Sequence, residues 1–148
     1  MTYIWDTNIL LYVLRKSEFL DTLKLEYNLD ASLSQISISA VTVGEIHAIA
    51  LRNRRGEKRV LALSNLLDSL KIIFIDDNPF LIQMYAEIDT YSQNQHPNLK
   101  MPTSAVKMGK NDLWIAATTA IFNATLISTD NDFNHLKNLF FSFDKIIV

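Results

Sequence analysis

The 148 residues suit a single domain, 1–148, and the balance of 49% hydrophobic to 20% charged residues excludes intrinsic disorder. Fourteen Lys and Arg against sixteen Asp and Glu give a formal charge of −2, so the total does not indicate a strongly basic nucleic-acid binder. The absence of cysteine removes disulfides, thiolate metal sites and a cysteine nucleophile, and three scattered glycines (Gly44, Gly56, Gly109) cannot build a glycine-rich phosphate loop.

Tyr3 to Trp5 is a short apolar run ending at Asp6, followed by a buried helix over Ile9 to Leu14. Phe19, Leu20, Leu23 and Tyr27 recur at helical spacing. Gln35 to Ala40 alternates like a strand, and Val41 to Leu51 reads as a helix. Val60, Leu63, Leu67 and Leu70 mark another helical face. Lys71 to Ile75 is rich in β-formers, and Asn78-Pro79 is a helix start that continues through Tyr91. Ser92 to Lys110 is one long loop with two prolines and a glycine, and loops of that length are usually functional or mobile. A helix over Asn111 to Asn123, a strand over Ala124 to Ser128, a short helix over Phe133 to Leu139 and a last strand over Lys145 to Val148 complete the chain. No basic, apolar leader opens it and no run is long enough to span a membrane, so a soluble, cytoplasmic protein is expected. The alternation of strands and helices implies an α/β sandwich with a mostly parallel sheet, whose ligands sit beyond the carboxyl ends of the strands.

That edge collects carboxylates. Asp6 and Asp130 follow strands, while Glu45 and Asp112 lie in the first turns of helices that follow strands or the long loop. Each has a local explanation: Asp6 as a helix cap, Glu45 in a capping box with Thr42, Asp112 favoured by the helix dipole, and Asp130 or Asp132 as a cap for the Phe133 helix. Asp76 and Asp77 read as caps for the Pro79 helix. Together the four main acids would repel strongly, since like charges at ~4 Å cost about 4 kcal/mol at an effective dielectric of 20. Raised pKa values or a cation must relieve this, and an all-oxygen donor set suits Mg²⁺ or Mn²⁺. His47, His96 and His135 lie in separate elements, without the pairing of a metal-free ribonuclease or the spacing of a zinc site.

These residues carry a resemblance. Asp6-Thr7-Asn8-Ile9-Leu10, Thr42-Val43-Gly44-Glu45-Ile46, Asn111-Asp112-Leu113-Trp114-Ile115-Ala116-Ala117 and Ser128-Thr129-Asp130-Asn131-Asp132-Phe133 are similar, in order and spacing, to the four acidic elements of PIN-domain nucleases of the VapC toxin type. Ser128 stands where threonine is commoner, and Trp5 and Trp114 stand where aliphatic residues are usual. The resemblance implies a PIN-like sandwich of about five strands in the order 3-2-1-4-5 with helices on both faces. It also implies Mg²⁺- or Mn²⁺-dependent endoribonuclease activity, a homodimer, and inhibition by a cognate antitoxin protein.

The expected chemistry is metal-dependent hydrolysis of RNA phosphodiester bonds. Asp6, Glu45, Asp112 and Asp130 are the expected catalytic and metal-binding residues, with Asn8, Ser128 and Asp132 behind them. Lys107 and Lys110, just before Asp112, are candidate RNA contacts. Arg52 and Arg55 belong to a basic cluster (Arg52, Arg54, Arg55, Lys58, Arg59), expected to extend the Glu45 helix, that suits RNA or antitoxin. One alternative is an inactive PIN-like interaction module. Another is a phosphate-accepting receiver domain, but that class wants an acidic pair after the first strand and a lysine at a late strand's carboxyl end, whereas Lys145 is expected to begin its strand.

Overall fold

The computed structural model describes residues 1–30, 33, 35–54 and 56–148. Within them β1 (Tyr3–Trp5), α1 (Thr7–Arg15), α2 (Ser17–Glu26), β2 (Ile36–Ser39), α3 (Ala40–Arg52) and α4 (Glu57–Asp68) come first. They are followed by β3 (Lys71–Ile73), α5 (Pro79–Ser92), α6 (Lys110–Ile121), β4 (Thr125–Ser128), a 3₁₀ turn (Asn134–Leu136) and β5 (Ser142–Lys145). The five strands form one sheet in the order 3-2-1-4-5, and every ladder is parallel. The expected fold class and strand order are therefore found.

The two-residue period of β1 divides the core. Tyr3 and Trp5 face one way, with Ile9, Leu10, Ile36, Ile38 and Ile46, under α1 to α4. Ile4 faces the other, with Leu126, Ile88, Leu113 and Phe133, under α5 and α6. Both central strands are buried along their length, which is why they read as continuous apolar runs rather than alternating ones.

Local chemistry sets the element ends. The Asn78 side chain accepts from the Phe80 N–H, and Pro79 occupies the first helical position. Asp76 supports this cap by accepting from the Asn78 N–H, so it stands one step behind the cap rather than being the cap. With so few glycines, asparagine takes most of the left-handed positions: Asn28, Asn94 and Asn123, just beyond α2, α5 and α6, have φ of 50°, 56° and 48°, while Leu33 and Arg54 take two others. None of the three glycines has a positive φ.

Several boundaries differ from the sequence expectation. Helix α3 starts at Ala40, capped by Ser39, so Thr42 and Glu45 are not a capping box. Its last residue is Arg52, and a turn intervenes before α4 with Arg54 at φ 43°, so the basic cluster does not extend the Glu45 helix. Strand β5 ends at Lys145 instead of starting there. The apolar tail Ile146 to Val148 resembles a strand, but pairing with β4 places Ser142 opposite Thr125 and Lys145 opposite Ser128. The helix expected over Phe133 to Leu139 is only a 3₁₀ turn.

The long loop is tied down. His96 pairs with Glu87 of α5 through Nε2, while its Nδ1 accepts the N–H groups of Asn98 and Leu99 at 3.1 and 2.9 Å. The Val106 N–H donates to the Ser92 carbonyl at 2.8 Å, and Met101 is buried in the α5–α6 core. Among the described residues no helix is long and apolar enough to cross a membrane.

Phe133 is fully buried and packs on Phe143 with ring centroids 6.0 Å apart. Phe133→Ala is expected to cost about 3–5 kcal/mol, because the surrounding strands cannot collapse into the void. A urea titration should show the lower midpoint with little change in slope.

Candidate active site

The parallel pairing of β1 with β4 sets Trp5 against Ile127, so the chain leaves both strands at the same edge. Asp6 follows β1 as the cap of α1. Its Oδ1 accepts the Thr7 N–H at 2.7 Å, and its Oδ2 accepts the Ser128 hydroxyl at 2.6 Å. Ser128, fully buried at the end of β4, also accepts the Asp130 N–H at 3.0 Å. Asp130 in turn accepts the Asp132 N–H at 3.0 Å, closing a tight turn that holds its carboxylate at the sheet edge. The cap reading of Asp6 and its place in an acidic cluster are thus both true.

Glu45 lies in the second turn of α3 and reaches toward α1, where its Oε1 accepts the Thr7 hydroxyl at 3.0 Å. Asp112 is in the first turn of α6, half-buried. Asn8 is half-buried in α1 and makes no hydrogen bond to any of the four carboxylates.

The electrostatics reflect this convergence. Burial pushes Asp6 up to about 6, against the pull of its hydrogen bonds from Ser128 and Thr7, and the charges of Glu45 and Asp130 add to the rise. Asp112 is also raised to about 6, first by burial and then by the charges of Asp6, Asp130, Glu45 and Asp132. Among the described residues no Lys, Arg or His forms an ion pair with these carboxylates, the pair His96–Glu87 lying elsewhere in the fold; the Lys145 ammonium donates to Asn131, in the turn between Asp130 and Asp132. Nor do the histidines enter. His47 is exposed, and His135 hydrogen-bonds Ser92 and is held below its ordinary range by burial.

The donor chemistry fits a hard divalent cation: oxygen donors alone, with negative charge left uncompensated. Among the described residues no three acidic or histidine side chains are close enough to grip one ion together. That spacing suits an ion that keeps several waters and touches only one or two carboxylates directly, the habit of Mg²⁺.

Two contributors have no acidic group to mark them. Thr7 links Asp6 to Glu45, its N–H on one carboxylate and its hydroxyl on the other, and its only trace in the sequence is its place inside Asp-Thr-Asn. Gly109 has ordinary extended backbone (φ −65°), but a Cβ there would lie 2.9 Å from Asp112 Oδ2. It therefore leaves the space the Asp112 carboxylate occupies.

The basic candidates separate. Arg52, exposed at the end of α3, shares a groove with Glu45. Lys107 and Lys110 share a different hollow with Asp89 and Gln93, between α5, the loop and α6. Arg55 lies outside the described residues.

A parallel α/β sheet with carboxylates gathered at its switch point is the class of protein that the structure defines. A family model described as PIN domain matches residues 3–139, and the chain belongs to that family. No curated protein sequence matches it. The fold is similar to that of a chain in VapBC2 from Rickettsia felis bound to a DNA fragment from their promoter (TM-score 0.75, 23% identity, 98% of each chain covered). It is also similar to one in DNA-bound VapBC from Salmonella typhimurium (TM-score 0.74, 14% identity, 98% of each chain). A third is VapBC-1 from nontypeable Haemophilus influenzae (TM-score 0.69, 21% identity, 98% of each chain). The receiver-domain alternative is set aside by this membership.

Because the folded protein raises both carboxyls from 3.8 to about 6, it holds protons that the unfolded chain releases. Stability of the metal-free protein is therefore full below pH 3.8 as far as these groups are concerned, and falls as pH rises through about 6. Asp6→Asn is expected to raise the melting temperature of metal-free protein at about pH 7.5 and to lose that advantage near about pH 4, as calorimetry at the two pH values would show. Asn retains the capping oxygen.

Proposed function

We propose that this chain is a Mg²⁺- or Mn²⁺-dependent endoribonuclease, the toxin half of a toxin–antitoxin pair, acting in the cytoplasm as a homodimer. The observation that carries the reading is the mutual electrostatic influence of Asp6, Glu45, Asp112 and Asp130 at one sheet edge, with no ion pair to any of them among the described residues. Membership of the PIN family, and a fold shared with VapBC structures, support it.

Asp6, Asp112, Glu45 and Asp130 would hold the cation, one or two of them directly and the others through its waters. When bound, it would lower the pKa of water and neutralise charge on the phosphate oxygens. The Ser128 hydroxyl holds one oxygen of Asp6 and the Thr7 hydroxyl holds one oxygen of Glu45, which restrains both side chains before substrate arrives. Asp132 anchors the turn that presents Asp130. Arg52, in the groove with Glu45, would meet a phosphate beside the acidic centre, while Lys107 and Lys110, in the separate hollow between α5, the loop and α6, would meet the RNA backbone further out.

A second surface suits the antitoxin. A groove of about 370 Å³ between α1, α3 and α4 is walled by Leu11, Leu14, Ile46 and Leu63, with Arg15 and Arg59 also lining it. Such a groove suits an amphipathic segment carrying acidic residues.

Asp6→Asn and Asp112→Asn are each expected to lower Mn²⁺-supported cleavage of single-stranded RNA at least a hundredfold while the protein stays folded. EDTA should abolish the parent activity and Mn²⁺ restore it; cleavage that survives EDTA would overturn the proposal. Replacing Lys107 and Lys110 by Glu should flatten the salt dependence of RNA binding, by about one unit of slope for each phosphate no longer neutralised. Fluorescence anisotropy across a salt series measures that slope.

A further inference from the structure

Gly44 lies inside α3, where glycine weakens a helix relative to alanine. Neither usual reason for a glycine applies. Its φ is not positive, and a Cβ built on it meets nothing within 4 Å. What it borders is a groove of about 540 Å³ that also contains Glu45, Arg52, Ile75, Asn111 and Trp114. The α3 residues of this groove recur every three or four positions, so they form one stripe along the helix. From Glu45 to Arg52 the stripe runs roughly 10 Å, at about 1.5 Å per residue.

The groove is continuous with the acidic centre at two points, Glu45 and the Asn111 that precedes Asp112. Its other walls have a different chemistry. Trp114 is half-buried and backed by Tyr85 with ring centroids 4.4 Å apart, Ile75 is 40% exposed, and Arg52 supplies a positive charge with no carboxylate partner among the described residues. An apolar, aromatic wall with one cation beside a phosphodiester site matches a nucleobase and its phosphate. A base held in a duplex could not enter, so the occupant must be unpaired.

We propose that this groove binds an unpaired RNA nucleotide next to the scissile phosphate, its base against Trp114 and Ile75 and a phosphate on Arg52, and that Gly44 is glycine to keep the groove open. The proposal rests on the endoribonuclease reading and adds to it the residues of a nucleotide subsite beside the carboxylates.

The test fills the groove without disturbing the carboxylates. Gly44→Ala and Gly44→Leu are compared with the parent and with Trp114→Leu, all in an Asp6→Asn background that prevents turnover. The probe is a fluorescein-labelled unpaired RNA dodecamer, read by anisotropy. Affinity is expected to fall from Gly to Ala to Leu, on the order of tenfold or more for Leu and about tenfold for Trp114→Leu. Melting temperatures of the Gly44 variants should equal or exceed the parent's, and Mn²⁺ affinity, titrated with Asp6 restored, should not change. Because Trp5 is fully buried, RNA should perturb the fluorescence of Trp114, and the signal should vanish in Trp114→Leu.

If the parent cleaves RNA with Mn²⁺ but Gly44→Leu binds the dodecamer as tightly as the parent, the groove assignment is wrong and the nuclease reading stands. If the parent with Asp6 intact cleaves no RNA, the nuclease reading is what fails. A duplex dodecamer that binds as well as the unpaired one overturns the groove assignment. So does a Gly44→Leu variant whose sedimentation reveals a changed subunit number, because the groove then belongs to a contact between copies.

Discussion

The hydrogen bond from Ser128 to Asp6 joins residues 122 positions apart, and the rest of the site follows from it. It exists because β1 and β4 are neighbours, with Trp5 level with Ile127. A one-residue slip in that ladder would turn Ser128 to the other face of the sheet and leave a buried carboxylate with half of its support. The same bond limits how far burial raises Asp6, since a hydroxyl donating to the ionised form favours it. Sheet topology, side-chain orientation and charge state are here one constraint seen at three scales.

Around that bond the chain accepts a local cost. Burial and mutual repulsion both oppose ionisation of Asp6 and Asp112, and no Lys, Arg or His of the described residues pairs with them. The two deep cores supply the stability that offsets this, one on each face of the sheet. Uncompensated charge held by a rigid frame is what a binding site for a cation requires before the cation arrives. Backbone usage tells the same story. Asparagines take most of the left-handed turns, and neither Gly44 nor Gly109 has a positive φ, so backbone freedom does not explain them. At both positions it is the missing side chain that matters, beside Glu45 in one case and beside the Asp112 carboxylate in the other.

Much of this was legible in the residues themselves. Four carboxylates, each at a strand end or helix start, in a chain without cysteine or clustered glycine, left metal and oxygen chemistry as the main option. The strand order followed from the family resemblance, and the edge location from the βα pattern. The misreadings share one cause, competition between local signals that only tertiary contact decides. Ser39 and Thr42 both suit a helix start, and the pairing of β2 up to Ser39 selects the earlier. Ile146 to Val148 has strand composition, but the β4 register ends the ladder at Lys145. Thr7 was invisible as a site residue because its role depends on α1 lying against α3, and a hydroxyl inside a helix has no spacing to betray it. The Arg52 to Arg59 run reads as one patch, yet the turn at Asn53 and Arg54 sends Arg52 to the groove beside Glu45 and Arg59 to the groove under α1.

That separation gives the two grooves different chemistry. The net charge of −2 conceals two basic addresses. Arg52 stands on the stripe that leads from the carboxylates, with an aromatic wall across from it. Arg15 and Arg59 border an apolar groove built from Leu11, Leu14 and Leu63, with little to offer a phosphate chain beyond the charge itself. Ile49 lines both grooves from α3, so the two surfaces lie back to back on one helix. Whatever occupied the groove between α1, α3 and α4 would bear on the same α3 that carries Glu45, and Glu45 is tied through Thr7 to the Asp6 cap of α1. A shift of α1 against α3 would act on the 3.0 Å bond between Thr7 and Glu45, and through the Thr7 N–H on Asp6 as well. The groove under α1 and the carboxylates are thus joined through one helix pair and one hydroxyl.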